Sequence, residues 1–445
     1  MKPSESSAAD PSIASTNPSG PPRRHWLARL GPGLITGASD DDPSGIGTYS
    51  QAGAQYGYSL LWTMLFCLPL MIAAQEISAR IGRITGRGLA GNIRKYYSKW
   101  ILYPAIFLLV VANTFNLGAD IGAMGDAVAL LIGGPALLYA ALFTALCIIL
   151  QIFASYPRCS AILKWLTLAL FSYVATAFFV HVPWKTALLA TVRPSLHLGG
   201  DYWAMFIAIL GTTISPYLFF WQASQETEEI KSSPEQEALK HAPAQARTQF
   251  SRIRLDTIIG MAFSNLVAFF IILSAAVTLH AHGSTDIETS AQAADALRPV
   301  AGKFAFILFT LGIVGTGLLA VPVLAGSAAS AVGEAMQWPT GLDRKPMEAR
   351  GFYSVLSVAT VIGLALNFPA IQHYSHLSPI KALFWSAVIN GVVAAPILAI
   401  MMLMCHNKRV MGPYTRISRS LRTIGWLTTA VMAAAAVGLF ATWKK

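Results

Sequence analysis

Apolar runs recur along this chain at lengths that fit a bilayer, which takes roughly 20 residues per helical crossing. They fall at 28–57, 58–81, 101–132, 134–155, 161–181, 202–224, 255–281, 302–332, 352–371, 379–405 and 424–443. The pattern predicts an all-α integral membrane protein with about eleven transmembrane helices. Two of the spans are interrupted by polar residues and helix breakers. The first carries "TGASDDDPSGIGTYSQ" (36–51), with Asp40, Asp41 and Asp42 side by side, then Pro43, Gly45 and Gly47. The sixth carries "AILGTTISPYLFFWQASQ" (208–225), where Gly211, Thr212, Thr213, Ser215 and Pro216 interrupt the run. The interruptions stand five spans apart. That spacing points to an inverted-repeat transporter, with spans 1–5 and 6–10 as halves and broken helices 1 and 6 meeting at the midplane. Repeat one is expected over 26–181 and repeat two over 200–405, inside a core of 26–423, with 424–445 as an added eleventh helix.

Pro43 lacks an N–H and clashes with the preceding turn, and Gly45 and Gly47 let the backbone leave helical geometry. Carbonyls freed at that depth are tolerated only where they line a cavity or water. Carbonyls beside carboxylates make an oxygen-rich site of the kind hard cations take, and acids inside a membrane span mark function. The bland alternative places one or two of the aspartates in a water-filled vestibule, where they only tune its potential.

Composition agrees with the hydropathy pattern. Of 445 residues, 54% are hydrophobic and 12% charged, half the charged share usual in soluble domains; the mean hydropathy is +0.53. The net charge of +11 invites a nucleic-acid reading, but its placement gives another. With the N-terminus inside, 25 of the 32 Lys and Arg fall on the inner side, as the positive-inside rule requires. Eleven spans then leave the C-terminus outside, in a cell (inner) membrane. Residues 1–25 are rich in Ser, Pro, Ala and Asn and read as a disordered cytoplasmic tail without a cleavable signal. Cys67, Cys147, Cys159 and Cys405 have no paired spacing, so neither disulfides nor a zinc site follow.

Other polar residues carry less. The stretch at 225–252 reads as a cytoplasmic loop with some helix. His280 and His282 in an outer loop are read as exposed polar residues rather than a metal pair. Glu76 and Asp126 belong either to an ion route or to helix ends. Asn113 and Asn116 are expected to bond helix to helix. Met401, Met402 and Met404 are read as packing rather than a copper site. No P-loop, Ser-His-Asp set or redox motif points to an enzyme, and no permanently bound cofactor is implied.

Three motifs resemble the Nramp divalent-metal transporters. "GPGLITGASDDDPSG" (31–45) is similar to the family's first span, which runs G-P-G and then D-P-G-N. "AQEISARIGRITGRGLAGNIRKYY" (74–97) resembles its Q-x-x-S-A-R-x-G-x-x-T-G-x-x-L-A second span, and "GADIGAMGDAVAL" (118–130) its third. The second-span match is the long and specific one, and the resemblance covers spans 1 to 11 in order. It implies a LeuT-like 5+5 inverted repeat and transport of Mn²⁺, Fe²⁺ and related ions, commonly with protons. It also implies an ion held by an Asp and an Asn in span 1, and by a carbonyl and a Met sulfur in span 6.

The chain departs from that pattern where the ion would sit. The family Asp falls on Asp42, its Gly on Ser44 and its Asn on Gly45. The M-P-H of span 6 becomes Ser215-Pro216-Tyr217, and the carbonyl position falls on Thr212. The D-x-x-E of span 3 keeps Asp120 but has Ala123 in place of the Glu. Asn390 falls near a Gln that touches hydrated metal. Loss of the soft sulfur removes a preference for transition metals, and two smaller residues are expected to widen the cavity. Mg²⁺ keeps several waters when bound, so a wide, all-oxygen site suits partly hydrated Mg²⁺ or Mn²⁺, in the chemical logic of the Nramp-related magnesium transporters. The expected metal-site residues are Asp42 as anchor, Asp40, Asp41 and Gly45 beside it, Thr212, Thr213, Ser215 and Tyr217 from span 6, and Asn390. Alternating access with weak or no proton coupling is expected, and a monomer suffices. The rival readings are a proton-coupled Mn²⁺/Fe²⁺ transporter, an organic-cation carrier with Trp221 and Tyr217 as an aromatic wall, and a non-transporting metal sensor.

Overall fold

The computed structural model describes residues 36–37, 39–153, 169–196, 199–233, 235–342, 344–371, 378–415 and 417–442. The expected tail, the Gly-Pro-Gly at 31–33, Cys159 and residues 161–168 of the fifth span lie outside the described residues. Helices dominate, and no strand occurs among the described residues.

The first span is helical at 36–37 and 39–40, leaves helical geometry at Asp41 and Asp42, and resumes as α1 (Pro43–Tyr56). Asp42 caps α1 and Pro43 takes its first turn, where a missing N–H costs nothing. Gly57 ends α1 at φ 57, a left-handed backbone that glycine adopts without a Cβ penalty, and a 3₁₀ turn leads into α2 (Leu61–Thr85). The further crossings are α3 (Lys99–Ile132), α4 (Ala136–Phe153) and α5 (Phe171–Phe179), the last being the described part of the fifth span. The sixth span is again two helices, α6 (Gly200–Thr213) and α7 (Pro216–Ser232). Then follow α8 (Ala246–Thr278), α9 (Ala305–Met336), α10 (Arg350–Ala365), α11 (Pro379–His406) and α12 (Arg419–Thr442). Each of the eleven expected spans meets a helix, and the 225–252 stretch shrinks to a loop of 233–245 because α7 and α8 extend into it.

Packing follows the repeat. Segments five spans apart lie against each other: α1 on α6, α2 on α8, α3 on α9 and α4 on α10. The two long central helices, 34 residues in α3 and 32 in α9, would each reach about 50 Å at 1.5 Å per residue, longer than the roughly 30 Å hydrocarbon layer. The broken spans form the middle. In α1 and α6 nearly every side chain from the break outward is buried. Lipid-facing surface is instead carried by α4 and α10, where Leu138, Leu142, Ile149, Val358 and Val361 are exposed. The other polar candidates settle into structural roles. Met401, Met402 and Met404 are buried, Cys67, Cys147 and Cys405 are buried and free, and Asn113 bonds α3 to Leu324 O and Ser327 of α9 at 2.9 and 2.7 Å.

Candidate functional site

The break in span 1 is organised around Asp42. Its Oδ1 accepts the Gly45 N–H at 2.8 Å and the Ser44 hydroxyl at 2.6 Å. Its Oδ2 accepts from Asn116 Nδ2 of α3 at 3.0 Å and lies 3.3 Å from the Tyr217 hydroxyl of α7. That hydroxyl is also 3.2 Å from the Ser39 carbonyl, so its single hydrogen has two acceptors. Asn116, expected as a helix-to-helix bond, thus reaches the proposed anchor itself. Asp120 stands one turn along α3 from Asn116, and neither of its carboxylate oxygens has a hydrogen-bond donor in place among the described residues, although the Ser44 backbone N–H lies nearby.

The other two aspartates turn elsewhere. Ser264 of α8 is 2.5 Å from Asp40 Oδ2 and 3.1 Å from Asp41 Oδ1, and Asp40 Oδ1 has no hydrogen-bond partner among the described residues. The triplet therefore splits, with Asp42 facing α3 and α7 while Asp40 and Asp41 face α8. Among the described residues no three His, Cys, Asp or Glu side chains converge tightly enough to hold one metal ion by themselves. No ion pair among the described residues involves any of these four aspartates, and Asp40 to Asp42 and Asp120 are all buried. Buried carboxylates without a basic partner are costly unless something cationic or polar compensates them.

At the span 6 break, Pro216 ends the hydrogen-bond ladder and the last α6 bond runs from Ile214 N to Leu210 O. Ser215 then does what no Met can. Its hydroxyl lies 2.7 Å from Gly211 O and 2.8 Å from Thr212 O, so it occupies carbonyls that the break would otherwise leave bare. Thr213 bonds back to Ile209 O at 3.0 Å and neighbours the Cys67 thiol of α2, which turns it towards α2. The Thr212 hydroxyl donates to the Tyr49 hydroxyl of α1. Asn390 of α11 is fully buried, with neither amide atom hydrogen-bonded among the described residues. Gly45 faces the ring of Tyr49 rather than open space. Trp221 packs against Gly326 of α9.

Tyr49, Asn116, Asp120 and Ser264 were not among the expected ligands. Three of them carried a legible signal: Asn113, Asn116 and Asp120 repeat at helical spacing in an apolar span, and Tyr49 sits one turn beyond Gly45 and two beyond Asp42. Ser264 had none. Of the open alternatives, Glu76 pairs with Arg80 at 2.5 Å near the end of α2, and Asp126 accepts from Ser290 of the 283–299 loop at 2.5 Å. His280 and His282 each bond a backbone carbonyl through Nδ1.

Two further regions bound the site. A cavity of about 210 Å³ opens between the end of α1 and the starts of α6 and α11, lined by Gln51, Gln55, Asp201, Met205, Lys381 and Trp385 among others. At the opposite end, Glu226 of α7 meets Arg252 of α8 at 2.5 Å and Arg83 of α2 at 3.9 Å, and Arg252 reaches Glu229 at 3.1 Å. The buried Leu239 closes over this network by bonding to the Arg83 carbonyl.

Comparison with known proteins places this architecture. The chain is 27% identical over 420 residues to a divalent metal cation transporter MntH of Klebsiella pneumoniae, covering 92% of this chain and 93% of the relative. It is 30% identical over 314 residues to the MntH of Chromohalobacter salexigens, covering 68% and 70%. In fold it is similar to the Eremococcus coleocola manganese transporter, with a TM-score of 0.74 at 16% identity over 97% of this chain and 91% of that one. It is also similar in fold to MhsT, solved with L-phenylalanine, with a TM-score of 0.60 at 14% identity over 93% and 100%. The model of the natural resistance-associated macrophage protein-like (Nramp) family matches residues 33–442, and the chain belongs to that family.

Proposed function

We propose that this chain carries divalent metal cations across a membrane by alternating access, with the ion at the breaks of spans 1 and 6. Its setting is a cell (inner) membrane with the N-terminus cytoplasmic. The observation that carries this is a set of buried carboxylates, Asp40 to Asp42 at the span 1 break and Asp120 beside it on α3, with no basic residue paired to them among the described residues. A divalent cation supplies the missing charge. Relatives described as divalent metal cation transporters, and the fold shared with a manganese transporter, support the same substrate class.

Mg²⁺ or Mn²⁺ is favoured within that class. The groups gathered around Asp42 are the Ser44 and Tyr217 hydroxyls and the Asn116 carboxamide, whose oxygens are hard donors. Asn116 Oδ1, Asn390 Oδ1 and both Asp120 oxygens are buried acceptors without hydrogen-bond partners among the described residues. Waters kept on a cation point their hydrogens outward and need acceptors of that kind. Ala123, where the resemblance implies an acid, removes one proton acceptor, so proton movement is proposed to be weak or absent. Asp42 is the anchor, with Asp40 and Asp41 supplying field through the Ser264 side.

Proteoliposome uptake of Mg²⁺ and Mn²⁺, each with an internal pH dye, tests this on wild type and Asp42→Ala. Expected is Mg²⁺ uptake without acidification, abolished in the variant. Mn²⁺ uptake with acidification and no Mg²⁺ flux would restore the proton-coupled transition-metal reading. Binding without flux of either ion would favour a sensor.

A further inference from the structure

The resemblance implies a widened site, since Gly45 and Ser215 stand where the family pattern has the larger Asn and Met. Part of that room is taken from within α1. A side chain four residues ahead on a helix leans back towards the N-terminus over residue i, and Tyr49 does so over Gly45. A Cβ placed on Gly45 would lie 3.2 Å from Tyr49 Cε2, and 3.7 Å from Asp42 Oδ1. An amide at 45 and the ring at 49 therefore compete for the space beside the Asp42 carboxylate. Tyr49 is 1% exposed, and its hydroxyl is joined to Thr212 across the two breaks. In such a hydroxyl pair only one hydrogen is used between the partners, so a second hydrogen and free lone pairs remain for a neighbouring water. Tyr49 also stands between the cavity and the anchor. Along α1 it lies between Asp42 and the cavity-lining Gln51, and its partner Thr212 lies two turns below the cavity-lining Met205.

We propose that Tyr49 is a specificity-determining residue of the ion site. Its ring replaces an amide ligand at position 45, and its hydroxyl, clasped to Thr212, receives the water shell of the cation instead. This rests on the two breaks holding a divalent cation, as proposed above. Gly45 and Tyr49 are then one unit, and neither can be exchanged alone.

Mg²⁺ and Mn²⁺ uptake into proteoliposomes tests it on wild type, Gly45→Asn, Tyr49→Ala, Tyr49→Phe and Gly45→Asn/Tyr49→Ala, each checked for a monodisperse elution profile. Gly45→Asn alone is expected to lose at least tenfold in flux of both ions. The double variant is expected to recover flux to within about threefold of wild type and to raise the Mn²⁺-to-Mg²⁺ ratio about tenfold. Tyr49→Phe, which keeps the ring and loses the hydroxyl, is expected to lower Mg²⁺ uptake more than Mn²⁺ uptake. A structural role alone would lower both ions equally and leave the ratio fixed. Independent effects of the two substitutions, or an unchanged ratio in the double variant and in Tyr49→Phe, would overturn the assignment while wild-type flux upholds the cation site. Absence of any divalent flux in wild type would instead remove the reading on which it rests.

Discussion

Ser215 shows how one side chain alters what a helix break can offer an ion. A break bares backbone carbonyls, and in this chain a hydroxyl lies within 2.8 Å of two of them. An ion that ligates the Thr212 carbonyl competes with that bond for the oxygen's electron density, whereas water around a hydrated ion can share it. Ser215→Met is therefore expected to free the carbonyls, add a soft ligand and raise the preference for Mn²⁺ over Mg²⁺ about tenfold, as read by competition between the two ions in uptake. Asn116 acts on the other side of the site by donating to Asp42 Oδ2 at 3.0 Å. A hydrogen bond to a charged group is worth about 1.5–3 kcal/mol. Asn116→Ala is expected to weaken apparent Mg²⁺ affinity by roughly tenfold, the lower end of that range at about 1.4 kcal/mol per tenfold. Concentration dependence of uptake measures it, with Vmax showing whether the carrier still turns over.

At the scale of elements, the apolar runs and breakers predict the crossings because bilayer thickness fixes span length and Pro43 and Pro216 fix where two of them stop. The split of the aspartate triplet was not legible. Neighbouring residues at a break point different ways, and which partner each meets depends on Ser264, more than 220 residues away. The same holds for the crossing of α6 and α11. Gly211 is read from sequence as a helix breaker, yet in the structure it lies within a helix and serves close approach. A Cβ there would meet Ala387 O at 2.0 Å and Gly391 N at 2.5 Å. Neither backbone can retreat without moving a helix that flanks the site. Gly211→Val is expected to destabilise the folded protein by about 1–3 kcal/mol, the range for overpacked cores, and to lower the melting temperature in detergent. Glycines that face no neighbour within 4 Å, such as Gly199, should tolerate Ala with no shift.

For the whole molecule, the two ends of the bundle differ in a way that predicts how it moves. One end holds the cavity between α1, α6 and α11; the other, proposed above to face the cytoplasm, is closed by the Arg83–Glu226–Arg252–Glu229 network. Glu226 and Arg83 are wholly buried, so removing Glu226 leaves the Arg83 guanidinium without its carboxylate and Arg252 with Glu229 alone, a change that costs roughly 3–5 kcal/mol for a buried pair. That cost falls on the state in which the network is closed. In Glu226→Ala the balance therefore shifts towards a state opened at the network end. Single cysteines report it in a background where Cys67, Cys147, Cys159 and Cys405 are replaced by Ser. Ala204→Cys lines the cavity, and Gln222→Cys lies one turn before Glu226 on α7, buried in this state. With Glu226→Ala, thiol labelling at 222 should rise several-fold and labelling at 204 should fall together with it. That reciprocity is the signature of one rigid movement opening one end as it closes the other. A rise at 222 with no change at 204 would mean that the network holds only a local contact, and that access to the two ends is not linked through it.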